Sequence, residues 1–128
     1  MVLAYTRYTA LLFAIGLAIG EAVINWGNWQ WWPLWVVDYA IAVALVYGFV
    51  ASRNPVRTHV LTSAWAFTLG VFYMALFITL DNLREGKASF AEQQVIILLI
   101  ALMTALAAMG VVTAAIAQKL ATVELDRS

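Results

Sequence analysis

Two acidic residues, Glu21 and Asp38, stand in stretches that are otherwise almost wholly apolar. At the centre of a bilayer a charged side chain costs at least about 2.5–3.5 kcal/mol on insertion scales, and less towards the interface. Depth and partners therefore decide what such carboxyls do. Glu21 lies five residues before Trp26, and Asp38 six residues after Trp32. At about 1.5 Å per helical residue, they sit roughly 7–8 Å and roughly 9 Å below one aromatic boundary. Asn25 follows Glu21 at i+4 and shares its helix face. Trp35 and Tyr39 flank Asp38. The helix dipole favours an anion at Asp38, near a helix start, and disfavours one at Glu21, near a helix end.

Three states of this candidate ion or partner site, Glu21, Asn25 and Asp38, are physically reasonable. One carboxyl is protonated and hydrogen-bonded to the other. A cation binds between them, helped by Asn25, Asp81 or a water. Or Arg84 or Lys87, the nearest cations by topology, folds inward to pair with them. The plain alternative is that both carboxyls reach interfacial water or loop donors.

Other chemistry finds little support. There is no HExxH, GxSxG or P-loop pattern. Ser52, Ser63, Ser89 and Ser128 lack a nearby base, so no catalytic residue is assigned. With no Cys and one His, disulfides, thiolate metal sites and a bis-His haem are excluded, and no cofactor or metal is expected. His59 opens an apolar run and reads as a boundary residue. Seven basic and seven acidic residues leave no net charge, which gives nucleic-acid binding no footprint.

The composition explains where such carboxyls would sit. Apolar residues make up 65% of the 128, and charged residues 11%, against about 45–50% and about 25% in soluble domains. A chain of this size needs polar residues to cover the surface it leaves exposed, so lipid is the expected solvent. A bilayer core about 30 Å thick needs roughly 20 apolar residues per helix. Four stretches supply them: Tyr8 to Asn25, Pro33 to Ala51, His59 to Leu80 and Gln93 to Ala117. They are apolar on consecutive positions, unlike the alternation of barrel strands. The first, preceded by only one basic residue, Arg7, is expected to stay as a membrane helix rather than be cleaved as a signal peptide.

The expected fold is thus all-α: one domain, an integral membrane bundle of four antiparallel transmembrane helices joined by short connections. Arg7, Arg53, Arg57, Lys119 and Arg127 fall on one side, and Arg84 and Lys87 on the other. This bias places both termini in the cytoplasm. The loop WGNWQWW then faces outward, with Trp26, Trp29, Trp31, Trp32 and Trp35 as interfacial anchors. The tail from Lys119 is expected to extend the last helix by a turn or two.

Small residues should set the packing, because lipid removes the hydrophobic drive between helices. Gly16 and Gly20 form a GxxxG, beside a row of Ala10, Ala14, Ala18 and Ala22. Ala40, Ala44 and Gly48 repeat the pattern, as do Ala101, Ala105, Gly110 and Ala114. These rows serve packing inside one chain or a face between copies. Trp65, Phe67, Phe72, Tyr73 and Phe77 read as packing residues. Thr62, Thr68, Thr79, Thr104 and Thr113 should bond their own helix backbone.

A sequence rich in packing signals and poor in chemistry leads to a non-catalytic function: an accessory or assembly subunit of a homo-oligomer or larger membrane complex, with membrane lipid around it. The alternative is a cation- or proton-coupled transporter or channel using Glu21 and Asp38.

Overall fold

The computed structural model describes residues 1–27, 32–87 and 89–126, without the side chains at positions 32, 34, 92, 125 and 126. The described residues form four α-helices and no strand: α1 (Val2–Asn25), α2 (Trp32–Ala51), α3 (Thr58–Arg84) and α4 (Phe90–Asp126). A single 3-10 turn, Pro55–Arg57, precedes α3.

Local chemistry sets the helix ends. α1 gives way to Gly27 and α3 to Gly86, both with positive φ (86° and 70°), where a side chain would meet the backbone. After α3, Gly86 N–H bonds Leu83 O (3.1 Å) and Lys87 N–H bonds Asn82 O (2.9 Å), the two bonds of a Schellman cap. Pro33 occupies the first turn of α2, where its missing N–H costs nothing. Between α2 and α3, the Asn54 side chain accepts from Val56 N–H, and Thr58 Oγ1 donates to Pro55 O.

Three helical stretches are long and apolar enough to cross a membrane: Val2–Asn25, Pro55–Arg84 and Gln93–Glu124. The second expected span gives a shorter apolar run, Trp35–Ala51. The helices also overrun the expected bounds. α1 starts at Val2 rather than Tyr8, since nothing in VLAYTR breaks a helix. α3 absorbs Asp81 to Arg84, which were expected in a loop. α4 has 37 residues, about 55 Å at the α-helical rise, and carries the tail to Asp126.

The core is built on aromatic rings set against missing side chains. Trp65 is 0% exposed. Phe13 meets it edge-on at 5.4 Å, and Phe72 in turn meets Phe13 edge-on at 5.8 Å. On the α4 side the Trp65 ring lies so close to Gly110 that a Cβ there would overlap it. Gly48 plays a milder version of this part, since its Cβ would stand 3.0 Å from Leu61 Cα and 3.4 Å from Ala64 Cβ. Around these positions pack Ala10, Ala14 and Leu17 of α1, Ile41 and Leu45 of α2, and Ala107 and Ala114 of α4.

This register departs from the expected small-residue rows. Ala40 is exposed and Ile41, Ala42, Leu45 and Gly48 face inward; on α4 the buried row is Ala107, Gly110, Ala114 and Ala117, while Ala105 is exposed. Both helices are apolar all round, so their inward face leaves no periodic trace. Of the α3 aromatics, Trp65 and Phe72 pack inside, while Phe67, Tyr73 and Phe77 are exposed.

Candidate functional site

The connection between α1 and α2 begins at Trp26, and the two helices pack along one another. Glu21 stands one turn before the end of α1 and Asp38 in the second turn of α2. This brings the two carboxyls within hydrogen-bonding reach, and both residues are half-buried. Asn25 Nδ2 donates to Glu21 Oε2 at 2.6 Å and to Glu21 O at 2.9 Å. The amide thereby fixes the Glu21 rotamer and closes the last turn of α1. Asn25 Oδ1 is shut off from solvent and accepts no bond. The three residues selected for their spacing therefore form one cluster of oxygen acceptors with an amide donor at its edge.

Of the expected states of this cluster, the inward-folded cation is absent. Among the described residues the ion pair is Lys87 with Glu85, and Arg84 and Lys87 are exposed. Lys87 pairs locally because the Gly86 turn folds it back beside Glu85. Asp81 is exposed on α3 and brings no ligand to the carboxyls. No group of three or more His, Asp or Glu side chains capable of holding a metal occurs among the described residues. With two carboxylates and one amide oxygen in the cluster, a cation here would need further oxygens from water or another chain.

The aromatic boundary is described in part. Trp26 is exposed, and Trp35 meets Tyr39 edge-on at 6.2 Å beside Asp38. Trp29, Trp31 and the Trp32 side chain lie outside the described residues, as does Arg127. His59 is exposed, with Nδ1 3.1 Å from Val56 O.

The threonines follow the expected pattern with one addition. Thr68, Thr79, Thr104 and Thr113 donate to the carbonyl four residues back. Thr62 also donates across to Gln118 Oε1 at 2.9 Å, tying α3 to α4. Among the described residues, two buried polar atoms besides Asn25 Oδ1 have no partner: Thr6 Oγ1 and Trp65 Nε1.

Sequence reasoning missed a feature at the other end of α1 and α2. Arg7 donates from Nε to Phe49 O at 3.2 Å and lies 4.9 Å over the Phe49 ring. Arg53 approaches the same ring at 5.9 Å. The signal was present as two arginines at opposite ends of consecutive apolar runs, which is where an antiparallel pair would juxtapose them.

No protein-family model matches the chain, and neither the curated proteins nor the solved structures contain a match to it.

Proposed function

We propose that the chain is an integral membrane protein of four antiparallel crossings that works as a non-catalytic assembly subunit, pairing with further copies of itself or with a larger membrane complex. Three long apolar helices support insertion. α2 completes the bundle as the fourth crossing, its 20 residues giving about 30 Å of helix, one hydrocarbon thickness. The total surface of 8415 Å² exceeds the roughly 6,700 Å² of a compact soluble protein of this mass. Much of it is large aliphatic side chains, which suit lipid and not water. Charge bias supports both termini in the cytoplasm and the Trp-rich connection outside.

The observation that carries the assembly reading is the GxxxG of α1. Gly48 and Gly110 are used inside the chain, but Gly16 and Gly20 have nothing within 4 Å of where a Cβ would stand. Leu12, Ile19 and Val23 border them at 70%, 59% and 69% exposure. The spacing 12, 16, 19, 23 puts these residues on one helix face. Small residues at such spacing let two membrane helices approach closely. Mass measurement in mild detergent and in native membrane extracts tests the reading. A defined oligomer or complex, weakened by Gly16→Leu with Gly20→Leu, is expected; a strict monomer without a co-purifying partner overturns it.

A second reading is favoured by the Glu21–Asn25–Asp38 cluster: proton- or cation-coupled transport by an oligomer. Two carboxyls within reach of each other, next to a buried amide oxygen without a donor, suit a site that exchanges a proton or a cation. Proteoliposome flux decides it. Loss of flux in Glu21→Gln and Asp38→Asn is expected, and unchanged flux in both removes it.

A further inference from the structure

We infer that α1 and α2 form a binding site for one anionic phospholipid of the cytoplasmic leaflet, with its phosphate on Arg7 and Arg53 and an acyl chain in the groove between the helices. The inference rests on the membrane reading above and is independent of the pairing face.

The headgroup end is built from two guanidinium groups that converge on one ring. Arg7 lies 4.9 Å and Arg53 5.9 Å from the Phe49 centroid. Arg7 is half-buried and spends Nε on Phe49 O, which leaves its two terminal nitrogens as a planar set of donors for an anion. Among the described residues neither arginine forms an ion pair. Both guanidiniums flank the Phe49 ring, and phosphate oxygens match the guanidinium fork.

The acyl end is an open, almost wholly apolar groove of about 520 Å³ whose end at Val50 lies one turn of chain from Arg53. Ala14, Ile15 and Ala18 form its α1 wall, and Val43, Val46 and Val50 stand on its α2 side, with Tyr39 at the far end. Arg7, Ala14 and Ala18 share one face of α1 by their i, i+7, i+11 spacing. On α2, Arg53 continues the line of Val46 and Val50, because Arg53 N–H still bonds Val50 O at 3.2 Å. From Val50 to Tyr39 the groove runs about 16 Å at the helical rise, which is half of a bilayer core about 30 Å thick. Alanines on one wall leave room for a chain, and its depth is that of a single leaflet. Gly16 lies roughly 160° around α1 from Ala18 and about 100° from Ile15, so the pairing face points away from the alanines of the groove.

The test is native mass spectrometry of the full chain released from bilayer nanodiscs that hold phosphatidylglycerol and phosphatidylcholine in equal amounts. One phosphatidylglycerol per chain should be retained about thirtyfold over phosphatidylcholine, the size expected for two basic contacts at an anionic surface. Arg7→Gln with Arg53→Gln should abolish the preference, Ala18→Phe should reduce retention of either lipid, and Gly16→Leu should leave both unchanged. Equal retention of the two lipids by the wild type overturns the inference. So does inorganic phosphate competing equally in wild type and Ala18→Phe, which would mark a free-anion site. Dissociation of an oligomer by Ala18→Phe would mark a second copy in the groove and overturns it too. Alkaline carbonate extraction of the same membranes separates the two levels: release of the chain sinks the membrane reading, whereas a retained chain without lipid preference sinks this inference alone.

Discussion

Replacing Gly110 by alanine adds one methyl group at the place where α4 touches the Trp65 ring. In an unconstrained helix the change would help, because glycine is about 1 kcal/mol worse than alanine in a helix interior. Here the added carbon falls on Cδ2, Cε2 and Cε3 of Trp65, the fused part of the indole and not a flexible tip. The ring cannot retreat: it is fully buried, with Phe13 edge-on against it and Phe72 behind Phe13. α4 or α3 must shift, at the cost of about 1–3 kcal/mol typical of overpacking. After the helix gain is subtracted, the net loss is up to about 2 kcal/mol, a rise in the unfolded fraction of up to about thirtyfold. Gly16→Ala supplies the control, since its methyl meets nothing in the same chain and only the helix gain remains. Unfolding of both variants in dilute detergent, where copies are separated, should rank Gly16→Ala above wild type and Gly110→Ala below it. Trp65→Phe should restore room for the methyl, so a double-mutant cycle should show coupling between positions 65 and 110. Gly110→Ala equal in stability to Gly16→Ala, with no coupling to Trp65, would refute the packing of α3 against α4 described above.

Further expectations concern the buried hydroxyls and the cross-helix bond. Thr6 Oγ1 is buried without a partner, so Thr6→Val should stabilise the chain by about 1 kcal/mol, the cost of an unsatisfied polar group removed at constant shape. Thr68→Val should destabilise by about 0.5–1 kcal/mol, because that hydroxyl donates to Ala64 O at 2.8 Å; thermal unfolding by circular dichroism reads both. Thr62 and Gln118 should couple by about 0.6 kcal/mol, the average for side-chain hydrogen bonds between membrane helices, in a double cycle of Thr62→Val and Gln118→Leu. Zero coupling would mean that the bond does not hold α3 to α4.

What could be read in advance depended on how sharply each residue departs from its surroundings. Glu21, Asn25 and Asp38 stand out in apolar runs, and counting from the tryptophans on either side placed the carboxyls at matching depth. The structure brings these three together. Helix existence was equally plain, since continuous apolar runs leave few alternatives. The helix faces were not. α2 and α4 are apolar all round, so nothing distinguishes Ala40, which is exposed, from Ile41, which is buried. The helix ends were obscured for another reason: Tyr5, Thr6 and Arg7 look like an interface by polarity, yet they continue α1, and Thr6 is fully buried. The Arg7–Phe49–Arg53 contact depends on the pairing of α1 with α2, and no local pattern announces it.

In the proposed topology the polypeptide crosses a bilayer an even number of times, so both of its ends lie on one side. With no native Cys, single thiols report position without background. In the proposed antiparallel arrangement Val56→Cys and Glu124→Cys fall at one end of the helices and Trp26→Cys and Glu85→Cys at the other, and all four positions are exposed. Labelling of intact cells and of inverted vesicles with a membrane-impermeant maleimide should divide them into those two pairs, Trp26→Cys and Glu85→Cys reacting from outside. Reaction of all four from one side, or of Val56→Cys and Glu124→Cys from opposite sides, would contradict it.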